Sequence, residues 1–508
     1  MSPLTYILGW PLLAALVVLV IPRNYRFVIR SVALLATLAS LLVAVKMFCQ
    51  FDAAPAVDGY RFGQIIPWVT SLGISYHVGV DGINIGLILM GAIVAFAAAC
   101  VSREIKTFEK EFYLLLLVMA GGILGAFASL DLFCFYFFHE LALVPTFIMI
   151  GVWGRGERKN YATFQITIYL SIGALLALVG LIALYLQMPA DLRTFDIVEI
   201  TRYFKAHPMA LASQQFIFPL LLFGFGILVS LWPFHTWAPL GYGSAPAATA
   251  MLHAGVLKKF GLYGLIRIAL PLMPAGAQQW MHVLALLCLG NILYCGWVAL
   301  RQKDLNLLIG NSSVAHMGFC FLGLASLSLL GVTGCVVVMI AHGLLAALTF
   351  GLSGWLREQT GTLEIEKLGG LLRRMPFIGA VLIMAMMAGC GLPGFANFVG
   401  ELAVMFGAWK SLSPFVVVAA WGALVVGAIY MLRAVRNVLH GPLDPVWAET
   451  RDATSLWRKL PFALLLVALL VFGFFPRLLT NKINPSAETI VEAATATPVG
   501  KIAARPAQ

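Results

Sequence analysis

Three charged residues stand in the middle of long apolar stretches, where an ionisable side chain can bind and release a proton. Glu140 lies in LFCFYFFHELALVPTFIMIGVWG, Lys259 in AGVLKKFGLYGLIR and Glu401 in GLPGFANFVGE. Such a group costs at least about 2.5 kcal/mol at membrane depth, and groups of this kind face other helices or water and mark ion or proton pathways. The chemistry that these residue types predict is stepwise proton transfer.

Further ionisable residues lie at the same predicted depth. Lys259 is about ten residues from either end of its apolar segment, too deep for its ammonium group to reach the interface easily. A lone histidine in a helix more often packs or hydrogen-bonds to a carbonyl group, and the sequence alone favours that structural role for His253 and His316. The other polar candidates within apolar segments are His235, Lys258 and His342.

The composition is that of an integral membrane protein. Hydrophobic residues make up 61% of the 508 residues and charged residues 11%, too little polar surface for a soluble globule of this size. Apolar runs of about twenty residues favour membrane-spanning helices over a barrel, whose strands are shorter and alternate in polarity. The predicted fold class is all-α and polytopic. The net charge of +11 indicates basic cytoplasmic loops, not a nucleic-acid-binding surface.

About fourteen segments satisfy the twenty-residue criterion for a membrane span. With the N-terminus outside the cytoplasm, most basic loop residues lie on the inner side, as the positive-inside rule requires. Asp81 and Asp131 precede spans and are expected to cap their helices. The predicted spans are 4–22, 29–49, 82–102, 112–129, 132–153, 162–187, 215–238, 246–269, 280–300, 306–326, 330–354, 376–395, 399–432 and 460–480.

Two spans are expected to be broken, at comparable places in the two halves of the chain. SLWPFHTWAPLGYGSAP contains three prolines, and GCGLPG places Pro393 between glycines. Proline removes a backbone donor, and the backbone groups freed by a break persist only beside protein or a water-filled cavity. Paired breaks are typical of inverted repeats in transporters, which we place at 112–269 and 280–432. The first part of span 399–432 is alternatively the second half of the helix broken near Pro393.

The remaining segments are not expected to carry chemistry. Residues 1–111 contain the N-terminal helices and an outward loop at 50–80, which is expected to form a hairpin or to lie along the surface. Residues 433–508 contain the last span and a tail at 483–508, rich in Ala, Pro and Thr, that is expected to be mobile.

No motif for a redox centre, a nucleotide or a metal is present in the sequence. The eight cysteines are scattered, mostly within apolar runs and without a CxxC pair, and are interpreted as small buried apolar residues. The sequence also contains no GxGxxG turn after a strand, no Walker loop and no metal-ligand spacing. The chain is therefore expected to bind no cofactor, and any catalysis that it performs is transport.

Seven motifs resemble those of the antiporter-like membrane subunits of respiratory complex I. The resemblance covers about residues 75–435, and Glu401 favours the subunit M (chain 4) branch of NADH-quinone oxidoreductase, since sister subunits and multisubunit sodium/proton antiporters tend to carry lysine there. The motifs are HVGVDGINIGL at 77–87, FFHELALVPTFIMIGVWG at 137–154, PFHTWAP at 233–239, AGVLKKFGLYGLIR at 254–267, SSVAHMGF at 312–319, MIAHGL at 339–344 and GLPGFANFVGE at 391–401.

The resemblance implies a fourteen-helix subunit with two inverted five-helix repeats in the bacterial inner membrane. Its partners would be the other membrane subunits and the peripheral subunits that bind NADH and flavin. It also implies a horizontal proton path, with Glu140 in the first half-channel, Lys259 at the centre, His316 and His342 in the connecting axis, and Glu401 in the second half-channel.

One residue that the resemblance implies is missing from this chain. The family carries a lysine a few residues before PFHTWAP as the partner of its first glutamate, but residues 228–230 read LVS. A deeply buried, unpaired glutamate would stay protonated, so we expect Lys258 or His235 to supply a countercharge to Glu140. The alternative is that the first half-channel is altered or silent and the subunit partly structural.

Three functions agree with these observations. The first is proton translocation within a complex I-type NADH:quinone oxidoreductase. The second is a stand-alone or multisubunit cation/proton antiporter, and the third is a membrane-anchoring subunit of a membrane-bound hydrogenase or a related complex. Glu401 favours the first function over the second.

Overall fold

The computed structural model of the chain describes residues 1–496 as helices packed side by side, with one small sheet. Twelve helical segments in this range are long and apolar enough to cross a bilayer. The helices are α1 (Pro3–Val20), α2 (Arg26–Gln50), α3 (Ile85–Val101), α4 (Glu109–Ala128), α5 (Leu132–Trp153), α6 (Lys159–Leu186), α7 (Ile197–Ala206), α8 (Leu211–Val229), α9 (Trp237–Ser244), α10 (Ala247–Gly255), α11 (Phe260–Gly264), α12 (Leu270–Leu272), α13 (Pro274–Leu289), α14 (Cys295–Arg301), α15 (Leu305–Ala325), α16 (Leu329–Thr360), α17 (Pro376–Gly389), α18 (Ala396–Ser411), α19 (Pro414–Leu439), α20 (Leu456–Phe474) and α21 (Arg477–Thr495).

The centre of the bundle is α16, which is apolar on all sides and buried along its whole spanning window. It packs against α10, α15 and α18; His316 lies on α15, Glu401 on α18, and Lys259 in the turn that follows α10. The helices α1, α2, α6, α19 and α20 lie further out and expose much of their apolar surface, as is expected of helices that face lipid or neighbouring membrane subunits. Because α16 is buried, the polar side chains on it and on the helices around it need hydrogen-bond partners within the protein.

Both predicted helix breaks are present. Residues 230–236 separate α8 from α9, and residues 390–395 separate α17 from α18. The single span predicted at 399–432 is wrong, because α18 ends at Ser411 and α19 begins at Pro414. The alternative is confirmed: α18 is the second half of the broken helix that begins with α17. When each broken pair is counted as one crossing, the described residues contain the fourteen crossings that the apolar runs predict.

A third break, which the proline and glycine pattern did not single out, interrupts the span predicted at 246–269. Helix α10 ends at Gly255, Val256 leaves the helical region with φ −123° and ψ −61°, and a 3-10 turn at Leu257–Lys259 leads into α11. A Cβ atom on Gly255 would come within 2.9 Å of the carbonyl oxygen of Gly343. The glycine thus permits the close approach of α10 to α16 at the break.

Residues 56–80 form the predicted hairpin as an antiparallel sheet in the order β1–β2–β3. Its strands are β1 (Ala56–Val57), β2 (Tyr60–Val69) and β3 (Ile74–Val80), with Ile65 opposite His77. The turn between β2 and β3 ends at Gly73, whose φ of +71° lies in the left-handed region that favours glycine.

The two aspartates predicted as helix caps both accept backbone hydrogen bonds, and one of them also forms an ion pair. Asp131 accepts hydrogen bonds from the backbone N–H groups of Phe133 and Cys134 and caps α5, and burial raises the pKa of its carboxyl group. Asp81 accepts in the same pattern from the N–H groups of Ile83 and Asn84, in the turn that leads into α3, although the residue directly before α3 is Asn84. The carboxylate of Asp81 forms a buried bidentate pair with Arg267, at 2.6 and 2.8 Å. The pair joins the end of the sheet to the helical segment after α11, a contact between distant residues that the local sequence does not indicate.

The mobile tail predicted at 483–508 is wrong for the described part, which forms the docked helix α21. The apolar residues of α21 recur at helical spacing on its buried face, and Lys482 on that face pairs with Asp52 beyond the end of α2. The Ala, Pro and Thr content of the segment does not reveal the helical spacing of its apolar residues. The buried residues include Leu479, Ile483, Ala487, Ile490 and Ala494. Residues 497–508 of the predicted tail lie outside the described part of the chain.

Replacing Ile483 by alanine is expected to weaken the docking of α21. The side chain is 1% exposed, and loss of a buried isoleucine side chain costs about 2–5 kcal/mol. Trypsin should then cleave the purified protein faster after Lys482. The exposed Glu488 on the same helix provides the matched control as Glu488→Ala, and equal cleavage rates in the two variants would contradict the docking.

Candidate functional site

A row of buried ionisable side chains runs from the break after α10 through α16 and α15 to α18. The Nζ atom of Lys259 donates to the carbonyl oxygen of Ala254 at 2.5 Å and lies 2.9 Å from Nδ1 of His342. The rings of His342 and His316 are 5.3 Å apart between centroids, and Nε2 of His316 lies 3.4 Å from Oε1 of Glu401. We call Lys259, His342, His316 and Glu401 the central row; each is at most 5% exposed.

The break after α10 provides a partner for the Lys259 ammonium group. The last carbonyl groups of a helix lack an intrahelical partner, and that of Ala254 accepts from Nζ instead. The second partner is Nδ1 of His342 on α16. Because one atom of this 2.9 Å contact must donate and the other must accept, the amine and the imidazole share one proton between them. The same contact therefore allows the proton to move from one residue to the other.

The hydrogen bonds of His316 indicate which of its two ring nitrogens carries hydrogen and which one faces Glu401 without hydrogen. Nδ1 lies 2.8 Å from the carbonyl oxygen of Ser312, which can only accept, so Nδ1 carries hydrogen. In the neutral ring Nε2 then carries no hydrogen; it lies 3.4 Å from Oε1 of Glu401, which forms no hydrogen bond within residues 1–496. A proton can pass between that carboxyl group and Nε2 once a small side-chain movement aligns the two groups.

The break between α17 and α18 leaves room for the Glu401 carboxyl group. Gly391 has a φ of +68°, and a Cβ atom built on it would lie 2.9 Å from Oε2 of Glu401. A cavity of about 20 Å³ borders His316 and Tyr430, large enough for about one water molecule. The Tyr430 hydroxyl donates to Oγ of Ser312 at 3.0 Å. His316 and Tyr430 are therefore the polar groups at the border of an otherwise apolar cavity.

Glu140 lies outside the central row. Its side chain is 32% exposed on the outer side of α5, and its one ion-pair contact within residues 1–496 is to the adjacent His139, with Nδ1 and Oε1 3.5 Å apart. The prediction that Lys258 or His235 supplies its countercharge is wrong, because neither pairs with it in the described structure. Successive helical residues point about 100° apart, so His139 faces the interior while Glu140 does not.

The remaining candidates occupy separate places in the bundle. Nζ of Lys258 donates to Oγ of Ser313 at 3.3 Å and lies 5.6 Å from the centre of the Tyr242 ring, so it points away from the Lys259 contact. The ring of His235 packs edge-on against Tyr294. His253 is buried between Trp237 and Tyr242, with ring centroids 5.6 and 5.5 Å away. None of these three side chains contacts the central row directly in residues 1–496.

Sequence reasoning missed the polar residues that support the row. Ser312 and His316 are four residues apart on α15, a spacing that places both on one helix face and that was available in the motif SSVAHMGF. Tyr430 gave no such signal, because it lies on α19, more than a hundred residues away along the chain from its partner Ser312.

Replacing Gly391 by alanine should displace the Glu401 carboxyl group because of the 2.9 Å clash with its Oε2 atom. The change is visible as a shift of the infrared carboxyl band that is lost in Glu401→Gln. Gly361→Ala is the matched control: Gly361 also has a positive φ, +72°, but a Cβ atom there meets nothing within 4 Å. Both variants place an alanine at a positive φ, which strains the backbone by about 1–2 kcal/mol. A band shift of equal size in the two variants, or no shift in Gly391→Ala, would show that the added methyl group does not displace the Glu401 carboxyl group.

Known proteins resemble this chain over most of its length. A family model described as NADH:quinone oxidoreductase/Mrp antiporter, TM, matches residues 129–427, a range that contains the central row. The F(420)H(2) dehydrogenase subunit M of Methanosarcina mazei is 36% identical over 91% of this chain and 92% of its own. The NADH-quinone oxidoreductase subunit M of Rhodobacter capsulatus is 32% identical over 95% of both.

Solved structures share the fold along almost the whole chain. A chain of respiratory complex I from Thermus thermophilus with bound NADH superposes with a TM-score of 0.87 at 28% identity, covering 97% of this chain and 100% of that one. A chain of the Mrp complex from Dietzia sp. DQ12-45-1b has a TM-score of 0.83 at 18% identity, with 97% and 99% covered, and shows the fold alone. The chain belongs to the NADH:quinone oxidoreductase/Mrp antiporter family of membrane proteins.

Proposed function

We propose that this chain is the proton-translocating membrane subunit, of the subunit M type, in a complex I-type NADH:quinone oxidoreductase. The observation that carries the proposal is the central row, in which Lys259, His342, His316 and Glu401 follow one another across four packed elements. Relatives named NADH-quinone oxidoreductase subunit M at 31–32% identity support the assignment. In this proposal the chain binds no cofactor, and partner subunits carry out the electron transfer.

The proposed mechanism is proton exchange along the central row. A proton on Glu401 moves to Nε2 of His316, the nitrogen that is free to accept. His342 and Lys259 share a second proton at their 2.9 Å contact. Because positive charges repel strongly at low dielectric, a proton that arrives on His316 favours displacement of the shared proton toward Lys259. Small changes of charge at either end of the row would thereby move protons along it.

The chain is proposed to work as a multi-pass subunit of the bacterial inner membrane, beside the other membrane and peripheral subunits of the complex. Its basic residues cluster in the loops that would face the cytoplasm if the N-terminus lies outside. The proposed repeats at 112–269 and 280–432 each contain one of the breaks predicted from proline and glycine, between α8 and α9 and between α17 and α18. Such breaks place polar backbone groups at membrane depth where transport requires them.

One specific observation favours an alternative electron donor for the complex. The relative with 36% identity is named F(420)H(2) dehydrogenase subunit M, so reduced F420 is the alternative to NADH as the source of electrons for the complex. The central row would serve either complex, because the donor binds to other subunits in this proposal.

Glu401→Gln and Lys259→Met are each expected to stop proton transfer through this subunit. Loss of a positioned acid or base slows proton transfer about 100-fold or more, while quinone reduction in the presence of an uncoupler remains. The measurement is proton uptake per quinone reduced by the complete complex in vesicles. Lys410→Gln, on the same helix as Glu401 but exposed, should leave the ratio unchanged, and wild-type ratios in the first two variants would contradict the mechanism.

Purification of the chain with its natural partners should yield flavin- and iron–sulfur-containing subunits and NADH-dependent quinone reduction. Quinone reduction with reduced F420 and not with NADH would establish the second candidate. Recovery with antiporter subunits alone, without any redox subunit, would contradict both.

A further inference from the structure

Glu140 has no direct contact with the central row, although it occupies the middle of a membrane-spanning helix. Its Oε1 atom has no hydrogen-bond partner within residues 1–496. His139 is its one ion-pair contact there, and the hydroxyl group of Tyr136 also lies beside the carboxyl group. The positions at which the resemblance leads us to expect a lysine, Leu228 and Ser230, are buried and not ionisable. Of the two neighbours of Glu140, His139 is the buried one, so the connection to the interior of this chain starts there.

His139 reaches the interior of the bundle at the break after α10. Its side chain is 1% exposed and stacks on Phe260, with ring centroids 4.0 Å apart and an interplanar angle of 21°. Phe260 directly follows Lys258 and Lys259 in the chain. Nδ1 of His139 is buried and forms no hydrogen bond in the described residues. The imidazole thus joins the outer carboxyl group to the segment that carries both buried lysines.

His253 is the next titratable group inward. It lies close enough to Lys258, Lys259 and His139 for their charges to act on it, and its ring lies 5.5 Å from that of Tyr242. Nζ of Lys258 lies near the same tyrosine ring, 5.6 Å from its centre. We call His139, Tyr242, His253 and Lys258 the inner cluster.

The inner cluster contains several buried polar atoms that lack a protein partner. Within residues 1–496 these are Nδ1 of His139, Nδ1 of His253, the hydroxyl group of Tyr242 and, one helical turn before His253, Oγ1 of Thr249. Leaving such an atom unsatisfied costs about 1–3 kcal/mol, and buried water usually satisfies groups of this kind. These four atoms are therefore the polar groups of this region that are available to donate or accept a further hydrogen bond.

We propose that His139 and His253 carry protons between Glu140 and Lys258, as the inner half of a path that joins the central row at α15. The proposal rests on the proposed function. In the first step the carboxyl O–H bond of Glu140 breaks and an N–H bond forms at Nδ1 of His139. The proton then passes through water and His253 to the free amine of Lys258, and no electron is transferred.

The path continues from Lys258 along α15. Nζ of Lys258 donates to Oγ of Ser313, and the neighbouring Ser312 contacts His316 through both its carbonyl oxygen and its hydroxyl group, at 2.8 and 3.4 Å from Nδ1. Lys258 and Lys259 thereby approach His316 from two sides, one through the serines and one through His342. This arrangement provides a role for the second buried lysine, which has no carboxylate partner in the described structure.

Phenylalanine variants separate proton transfer from packing. His139→Phe keeps the stacking on Phe260, and His253→Phe keeps the aromatic packing against Trp237 and Tyr242, but neither can bind a proton. In the complete complex in vesicles, each variant should lower proton uptake per quinone reduced to the value of Glu140→Gln, while the amount of assembled complex and uncoupled quinone reduction stay near wild type. His207→Phe, at an exposed position after α7, is the matched control.

A double variant tests whether Glu140 and His139 act one after the other on the same proton path. Because His139 and Glu140 lie on one path, the double variant Glu140→Gln/His139→Phe should lose no more than either single variant. Additive losses would overturn the proposal, as would wild-type proton uptake in His139→Phe or His253→Phe. If the wild-type complex itself took up no protons, the proposed function would fail and the proton path with it, whereas uptake that is normal in both phenylalanine variants would overturn the path alone.

An infrared measurement tests the first step independently of pumping. In the solubilised complex the carboxyl band of Glu140, identified by its loss in Glu140→Gln, should shift in His139→Phe because Nδ1, 3.5 Å from Oε1, has been removed. The band should not move in His207→Phe. An unchanged band in His139→Phe would show that the imidazole does not interact with the carboxyl group and would overturn the proposal.

Discussion

The structure depends on how a buried ammonium group is satisfied inside an apolar bundle. Lys259 is fully buried, and an unpaired charge there would be very costly. The break after α10 provides the carbonyl oxygen of Ala254 as one partner, and the close crossing of α10 and α16 at Gly255 and Gly343 brings His342 to the other side. The irregular backbone at this point is therefore the means by which a lysine is held at membrane depth.

The second break serves the carboxyl group at the other end of the central row in a related way. Gly391, in the connection between α17 and α18, leaves space beside Glu401, and α16 separates and supports both ends. His316 and His342 occupy the interval between them. Two of the three helix breaks, after α10 and between α17 and α18, thus lie next to the charged ends of the row.

The outer glutamate is organised differently from the central row. Glu140 lies at the side of the chain, and the residue that turns inward is His139, supported by the aromatic face of Phe260. The second lysine, Lys258, is held by Ser313 and Tyr242 rather than by a carboxylate. The titratable groups of this region lie around the break after α10, whereas Leu228 on α8 is buried and apolar.

The sequence by itself determined most of the spans, two of the three breaks and the residues of the central row, because long apolar runs, prolines and membrane-depth charges are local features with large energetic consequences. Only the tertiary structure decided the partners. The pairs Lys259–His342 and His316–Glu401, the outward direction of Glu140, the ion pair of Asp81 with Arg267 and the docking of α21 all depend on the rotation and packing of helices far apart in the chain. That rotation is set by contacts between distant side chains, which no local stretch of sequence contains.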